Sequence, residues 1–226
     1  MPGEDVKSVH TALLEVAYED DGSRDGSPVM LLRGWPDAPR GWNGVARALH
    51  SAGWRTIVPY LRGSPPTQFL SQGTPRFGAA VALAQDAIEL ADALGFDRFA
   101  VVGHDWGART AYTMGALFPE RLSALAALSV GYQPRGLFKV PDFEQSKRFW
   151  YQLQRGLHEV ERLSTPTLMI QGGSDYCDDP KESEGLERFS TGKYKRILLE
   201  GIGHFPHRES PTQVAEAVIR LIQDAG

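Results

Sequence analysis

The chain has 226 residues, of which 42% are hydrophobic and 23% are charged, and its formal net charge is −4. This length and balance predict one soluble domain of ordinary size with a full core, or one domain that carries a small insertion. Because its 24 Lys and Arg residues are scattered along the chain, nucleic acids and acidic membrane surfaces are not expected partners.

The compartment follows from what the sequence lacks. The first residues show no basic region followed by an apolar one, so we expect no secretory signal. No apolar run approaches the length that spans a bilayer. A single cysteine, Cys177, excludes an internal disulfide framework and fits a reducing compartment. We therefore expect a cytoplasmic protein.

Short apolar runs alternate with amphipathic segments along the chain. The strand-like segments, in chain order, are 9–20, 28–32, 54–61, 98–104, 122–131, 165–173 and 194–201. The helix-like segments are 41–53, 79–96, 107–120 and 210–225. The first strand-like segment mixes alternation and β-branched residues and predicts an edge strand. The alternation of strand and helix predicts an α/β fold with a mostly parallel sheet and helices on both faces.

One stretch, residues 133–165, interrupts this alternation. It contains one predicted helix, at about 143–163, and no predicted strand. We therefore predict a core domain formed by 1–132 and 166–226, with a short helical cap inserted between the two parts.

Polar or special residues follow four of the predicted strands, where ligands of open parallel sheets bind. These segments are RGWP at 33–36, GHDWG at 103–107, GGSD at 172–175 and GIGH at 201–204. GHDWG has the spacing of the G-x-S-x-G nucleophile elbow, with aspartate in place of serine. The order Asp105, Asp175, His204 is that of nucleophile, acid and histidine in α/β-hydrolases.

These motifs, together with QGGSD at 171–175 and GHFPHRESP at 203–211, resemble the α/β-hydrolase branch of epoxide hydrolases and haloalkane or haloacetate dehalogenases. The resemblance implies a covalent mechanism, in which Asp105 attacks an sp³ carbon and forms an ester of its own carboxyl. The chemistry of the side chain agrees, because an aspartate of ordinary pKa is already ionised near neutrality. No cofactor or metal is expected.

His204 is the expected base for the water that hydrolyses the ester, and Asp175 is expected to orient the imidazole. Asp178 and Asp179 compete with Asp175 for the acid role, and its position nearest the strand end favours Asp175. His207 is expected at the surface. The alternative for the nucleophile itself is a simple helix N-cap.

Four residues beside the elbow have expected roles, and two of them have alternatives. Backbone N–H groups of Trp35 and Trp106 are expected to stabilise the oxyanion, while the Trp106 indole would either bind a halide or line the pocket. Arg109 lies four residues after the nucleophile, on the same side of the helix start. The resemblance to haloacetate dehalogenases implies that it would bind a substrate carboxylate, and the alternative is a structural ion pair. Arg33 replaces the histidine that is usual in the family, and we expect it to be structural.

The shortened cap separates this chain from the family pattern. Epoxide hydrolases hold the epoxide oxygen with two cap tyrosines, and Tyr151 matches the first of them. The alternative role for Tyr151 is an aromatic side chain that anchors the cap helix on the core. The second is missing, and Tyr132 and Tyr176 are the substitutes that the sequence offers. An open site would also leave apolar surface for a second subunit, so a homodimer is one expectation.

The leading function is therefore an epoxide hydrolase-like enzyme acting on a small molecule. Haloalkane or haloacetate dehalogenation is the alternative, although Trp35 stands where a second halide donor, often Asn, is found. A different class of function is a catalytically weak, ligand-binding protein that retains the hydrolase fold.

Overall fold

A computed structural model describes residues 6–132 and 162–226, and within them the apolar runs form one nine-stranded sheet. The strands are β1 (Lys7–His10), β2 (Leu14–Gly22), β3 (Pro28–Leu32), β4 (Arg55–Pro59), β5 (Gln68–Phe69), β6 (Phe99–His104), β7 (Leu122–Leu128), β8 (Thr167–Gly172) and β9 (Tyr194–Leu199). Their order in the sheet is β1-β2-β4-β3-β6-β7-β8-β9, with the short β5 paired to β2.

Helices cover both faces of this sheet. They are α1 (Asn43–Ser51), α2 (Ala80–Ala93), α3 (Trp106–Leu117), α4 (Pro206–Glu209) and α5 (Pro211–Ala225). Side chains of α2 and α3 share one buried cluster with Met30 and Val101 of the central strands. Side chains of α1 and α5 share a second cluster with Val29 and Val102. Because neighbouring strand residues point to opposite faces, the two clusters are the two halves of the core.

The expectation of a mostly parallel sheet flanked by helices is confirmed. From β4 through β3, β6, β7 and β8 to β9 every pairing is parallel, whereas β2 pairs antiparallel with β1, β4 and β5. Parallel strands place their carboxyl ends at one edge of the sheet. The ends of β3, β6, β8 and β9 therefore share the edge at which the motifs occur.

The prediction of a single edge strand over 9–20 is wrong. The chain forms a hairpin instead, with β1 at the sheet edge and β2 beside it, closed by a hydrogen bond from the Thr11 N–H to the Leu14 carbonyl (2.8 Å). Side-chain alternation continues on both sides of this turn, so the pattern gave no sign of it.

Most of the predicted cap, and with it the helix at about 143–163, lies outside the described residues. Leu163, where the predicted helix would end, is among the described residues and forms an isolated β-bridge with Ser190. No helix in the two described ranges is both long enough and apolar enough to cross a membrane.

Candidate active site

Asp105 occupies the sharp turn between β6 and α3. Its backbone has a positive φ of 52° and ψ of −113°, a conformation that costs energy in a non-glycine residue. After the turn, the start of α3 packs closely against the end of β3. A Cβ on Gly107 would lie 2.0 Å from the carbonyl oxygen of Leu32. The glycine of the motif is therefore required for the helix to approach β3.

The two carboxylate oxygens of Asp105 have different surroundings. Oδ1 accepts a hydrogen bond from the Trp35 N–H (3.1 Å), and the Trp106 N–H also bonds to this carboxylate. Oδ2 lies 3.7 Å from Nε2 of His204. Burial alone would raise the pKa of Asp105, but the imidazole and the two N–H groups lower it below its ordinary value. The side chain is thus held as a carboxylate.

His204 lies in the loop after β9, between Asp105 and Asp175. Its Nδ1 is 2.9 Å from Oδ2 and 3.1 Å from Oδ1 of Asp175, whose side chain is fully buried. Burial disfavours the charged imidazole, but the carboxylates of Asp105, Asp175 and Asp178 outweigh burial and raise the pKa of His204 to about 10. The three predicted residues therefore meet at one edge of the sheet, with the imidazole in the middle.

The loop after β8 distinguishes between the three candidate acids. Asp175 contacts the imidazole and also accepts hydrogen bonds from the backbone N–H groups of Cys177 (2.8 Å) and Asp178 (3.0 Å). Gln171 donates to its other oxygen (3.2 Å). Asp179 is exposed, and its carboxylate caps the short 3-10 helix that follows. Asp178 lies nearby, with Oδ2 3.9 Å from Nδ1 of the imidazole.

Two further histidines pack behind the elbow. Nε2 of His104 donates to the backbone carbonyl of His204 (2.7 Å), which the Ser129 hydroxyl also contacts (2.8 Å). The expectation that His207 lies at the surface is wrong, because it is fully buried and its Nε2 is 2.8 Å from Oδ2 of Asp37. These histidines already bond to protein oxygens, and we assign no metal or cofactor to them.

The other predicted residues beside the elbow lie as follows. Arg33 is buried and donates to the Gly34 carbonyl (3.1 Å) and to the Ser64 hydroxyl, which agrees with a structural role. Arg109 is on α3, and its positive charge partly offsets the burial that raises the pKa of Asp178. The Trp35 side chain is 67% exposed, so its backbone N–H is its contribution to the site.

Three tyrosines are the candidates for protonating an epoxide oxygen. Tyr151 lies outside the described residues. Tyr132 is buried against Tyr112, with ring centroids 5.2 Å apart, and burial raises its pKa to about 12. Tyr176, next to the acid, is 88% exposed.

Comparisons with known proteins agree with this arrangement. Residues 27–150 match the model of the family described as alpha/beta hydrolase fold. Epoxide hydrolase 3 of Siraitia grosvenorii is 37% identical over 110 residues, which cover 49% of this chain and 34% of that protein. Epoxide hydrolase B of Mycobacterium tuberculosis (strain ATCC 25618 / H37Rv) is 32% identical over 119 residues, covering 52% and 33%. The chain thus matches about a third of the length of these relatives.

A solved structure resembles the whole chain. A protein of Klebsiella pneumoniae subsp. pneumoniae MGH 78578, proposed to be an epoxide hydrolase, superposes with a TM-score of 0.86 at 27% identity. The superposition covers 97% of this chain and 98% of that one. The similarity therefore extends beyond the segment that the curated relatives share.

Proposed function

This chain belongs to the α/β-hydrolase fold family, and we propose that it hydrolyses epoxides through an ester of Asp105. One observation carries the proposal: one oxygen of the carboxylate accepts a hydrogen bond from the Trp35 N–H, and the other lies beside the imidazole of His204. Similarity to epoxide hydrolases of two organisms supports the choice of epoxide among electrophiles with an sp³ carbon.

In the first step, Oδ2 of Asp105 attacks a ring carbon of the epoxide. A carbon–oxygen ester bond forms, the ring carbon–oxygen bond breaks, and the released alkoxide takes a proton from solvent to become a hydroxyl group. The attack needs no base, because the carboxylate is already ionised. A hydroxyl nucleophile at this position would have to be deprotonated first.

In the second step, water attacks Cγ of the ester while His204 takes its proton. Alkylation neutralises Asp105 and so removes one of the three carboxylates that raise the pKa of His204. The imidazole can then release its own proton to solvent, and it is neutral at the moment at which a base is needed. Negative charge develops on Oδ1, to which the Trp35 N–H donates, and the Trp106 N–H, which also bonds to this carboxylate, is proposed as the second donor. The ester bond then breaks and the diol leaves with the proton from His204. The new carboxyl group releases the second proton of the attacking water, which restores the carboxylate.

A trapping experiment tests the proposal. The protein is mixed briefly with styrene oxide, a bromoalkane or a haloacetate in parallel, and peptides containing residue 105 are examined by mass spectrometry. We expect an adduct with styrene oxide that accumulates in His204→Ala, since attack persists while hydrolysis stops. Asp105→Asn is the matched control and should form no adduct.

The other outcomes separate the competing functions. An adduct with the halide compounds alone would replace the epoxide proposal with dehalogenation. No adduct with any of the three reagents would overturn the covalent mechanism and favour the ligand-binding alternative.

We also propose a cytoplasmic location and a small-molecule substrate for this chain. The thiol of Cys177 is exposed, which fits a reducing compartment. The homodimer stays a prediction, to be checked by sedimentation equilibrium.

A further inference from the structure

Asp178 is a second carboxylate at the same imidazole nitrogen that Asp175 contacts. The backbone N–H groups of Cys177 and Asp178 both donate to Oδ1 of Asp175, so the loop curls around that carboxylate. The curl brings Oδ2 of Asp178 to 3.9 Å from Nδ1 of His204, compared with 2.9 Å for Oδ2 of Asp175. The Asp178 side chain is only 16% exposed, which limits the solvent screening of its charge.

The charged groups around Asp178 come from four parts of the chain. Arg109 on α3 and His204 after β9 favour its ionised form, whereas Asp175 in its own loop and Asp105 at the elbow oppose it. Burial has the largest effect and raises the pKa of Asp178 to about 6. The carboxyl is therefore ionised near neutral pH and carries a charge that Nδ1 of His204 experiences at short range.

We propose that Asp178 is a positioning residue, a second carboxylate partner that stabilises the cationic form of His204 during ester hydrolysis. This inference rests on the proposed function, in which His204 becomes cationic as it takes the proton of water. Alkylation removes the charge of Asp105, after which Asp175 and Asp178 are the remaining carboxylates that act on the imidazole. Asp178 therefore sets how acidic the medium can become before His204 ceases to act as a base.

The test compares Asp178→Asn with Asp179→Asn. Both substitutions replace one carboxylate by an amide in the same loop, but Asp179 is exposed and an asparagine can keep its capping role. The titration of His204 is followed by NMR of histidine-labelled protein without substrate, and its signal is assigned from the spectrum of His204→Ala. In parallel, the styrene oxide adduct is trapped and its decay is measured as a function of pH.

In Asp178→Asn we expect the midpoint of His204 titration to fall by about one pH unit, the lower end of the effect of an opposite charge at this distance. Below the wild-type midpoint of decay, the adduct should then disappear about tenfold faster, because tenfold more imidazole is neutral. The advantage should shrink below about pH 6, where Asp178 itself becomes protonated. Asp179→Asn should match the wild type in both measurements.

The two readouts separate this inference from the proposed function. A His204 midpoint that moves equally in both variants, or in neither, overturns the role of Asp178 whether or not an adduct forms. A shifted midpoint in Asp178→Asn alone, without any adduct in the wild type or in His204→Ala, supports the electrostatic pairing and overturns the covalent mechanism. Asp178→Ser provides a second variant if Asp178→Asn does not fold.

Discussion

Replacing Asp175 by asparagine would test the acid most directly, because its hydrogen bonds determine how the amide must lie. The backbone N–H groups of Cys177 and Asp178 face Oδ1, so the amide oxygen takes that position. The NH₂ group of the new asparagine then takes the position of Oδ2 and faces Nδ1 of His204. It also faces the NH₂ group of Gln171, which in the wild type donates to Oδ2. The imidazole is left with its proton on Nε2, the nitrogen that must accept a proton from water.

The magnitude follows from the burial of the pair. The Asp175 side chain is fully buried and lies 2.9 Å from the imidazole. Removing one partner of such a pair costs about 3–5 kcal/mol. If this cost falls on the transition state of ester hydrolysis, the second step slows roughly 10²- to 10⁴-fold. The first step needs no base and should stay close to the wild-type rate.

Rapid mixing with styrene oxide, an acid quench and mass spectrometry of the intact protein would follow both steps. We expect Asp175→Asn to form the adduct at nearly the wild-type rate and then to retain it. If hydrolysis slows less than tenfold while the fold is intact by circular dichroism, Asp175 is not the acid. An equal loss in both steps would contradict the separation of roles between Asp105 and His204.

Two further substitutions address the elbow and the support behind it. In Gly34→Ala the new Cβ would lie 2.4 Å from Cβ and 2.6 Å from Oδ1 of Asp105. Such overpacking costs about 1–3 kcal/mol. Because it displaces the nucleophile, we expect slower adduct formation in the same quench assay. His207→Ala leaves Asp37 without its buried partner and should lower the free energy of unfolding by about 3 kcal/mol in urea, whereas the exposed His10→Ala should change it little. Normal adduct formation in the first variant, or equal stability of the two histidine variants, would refute the respective argument.

The core and the elbow were predictable because their signals are local. Apolar runs such as 28–32 and 98–104 are strands that are buried on both faces, and each run ends where its strand ends. The Gly-x-Asp-x-Gly spacing reflects contacts within a few residues of the turn and one close approach to β3. Once parallel strands are inferred, the shared edge follows, and with it the meeting of Asp105, Asp175 and His204.

The support behind the site was not predictable, because it depends on contacts between distant parts of the chain. Asp37 and His207 are 170 residues apart in the sequence, and neither position carries a periodicity that identifies its partner. The turn between β1 and β2 was not predictable for a different reason, because side chains alternate in the same way on both sides of it. The sequence offers Asp178 as an alternative acid, and only its distance from the imidazole indicates a second role.

His104 and His204 are neighbouring histidines with opposite pKa shifts. Its ring centroid lies 5.1 Å from that of His204, yet the environments drive the two titrations apart. Burial, aided by the neighbouring His207, lowers the pKa of His104 to about 3, whereas carboxylates raise that of His204 to about 10. A neutral His104 can still donate its one N–H to the carbonyl of His204 without placing a second positive charge beside the imidazolium. The fold thus fixes the backbone of the base with a histidine and confines the positive charge to the ring that faces the nucleophile.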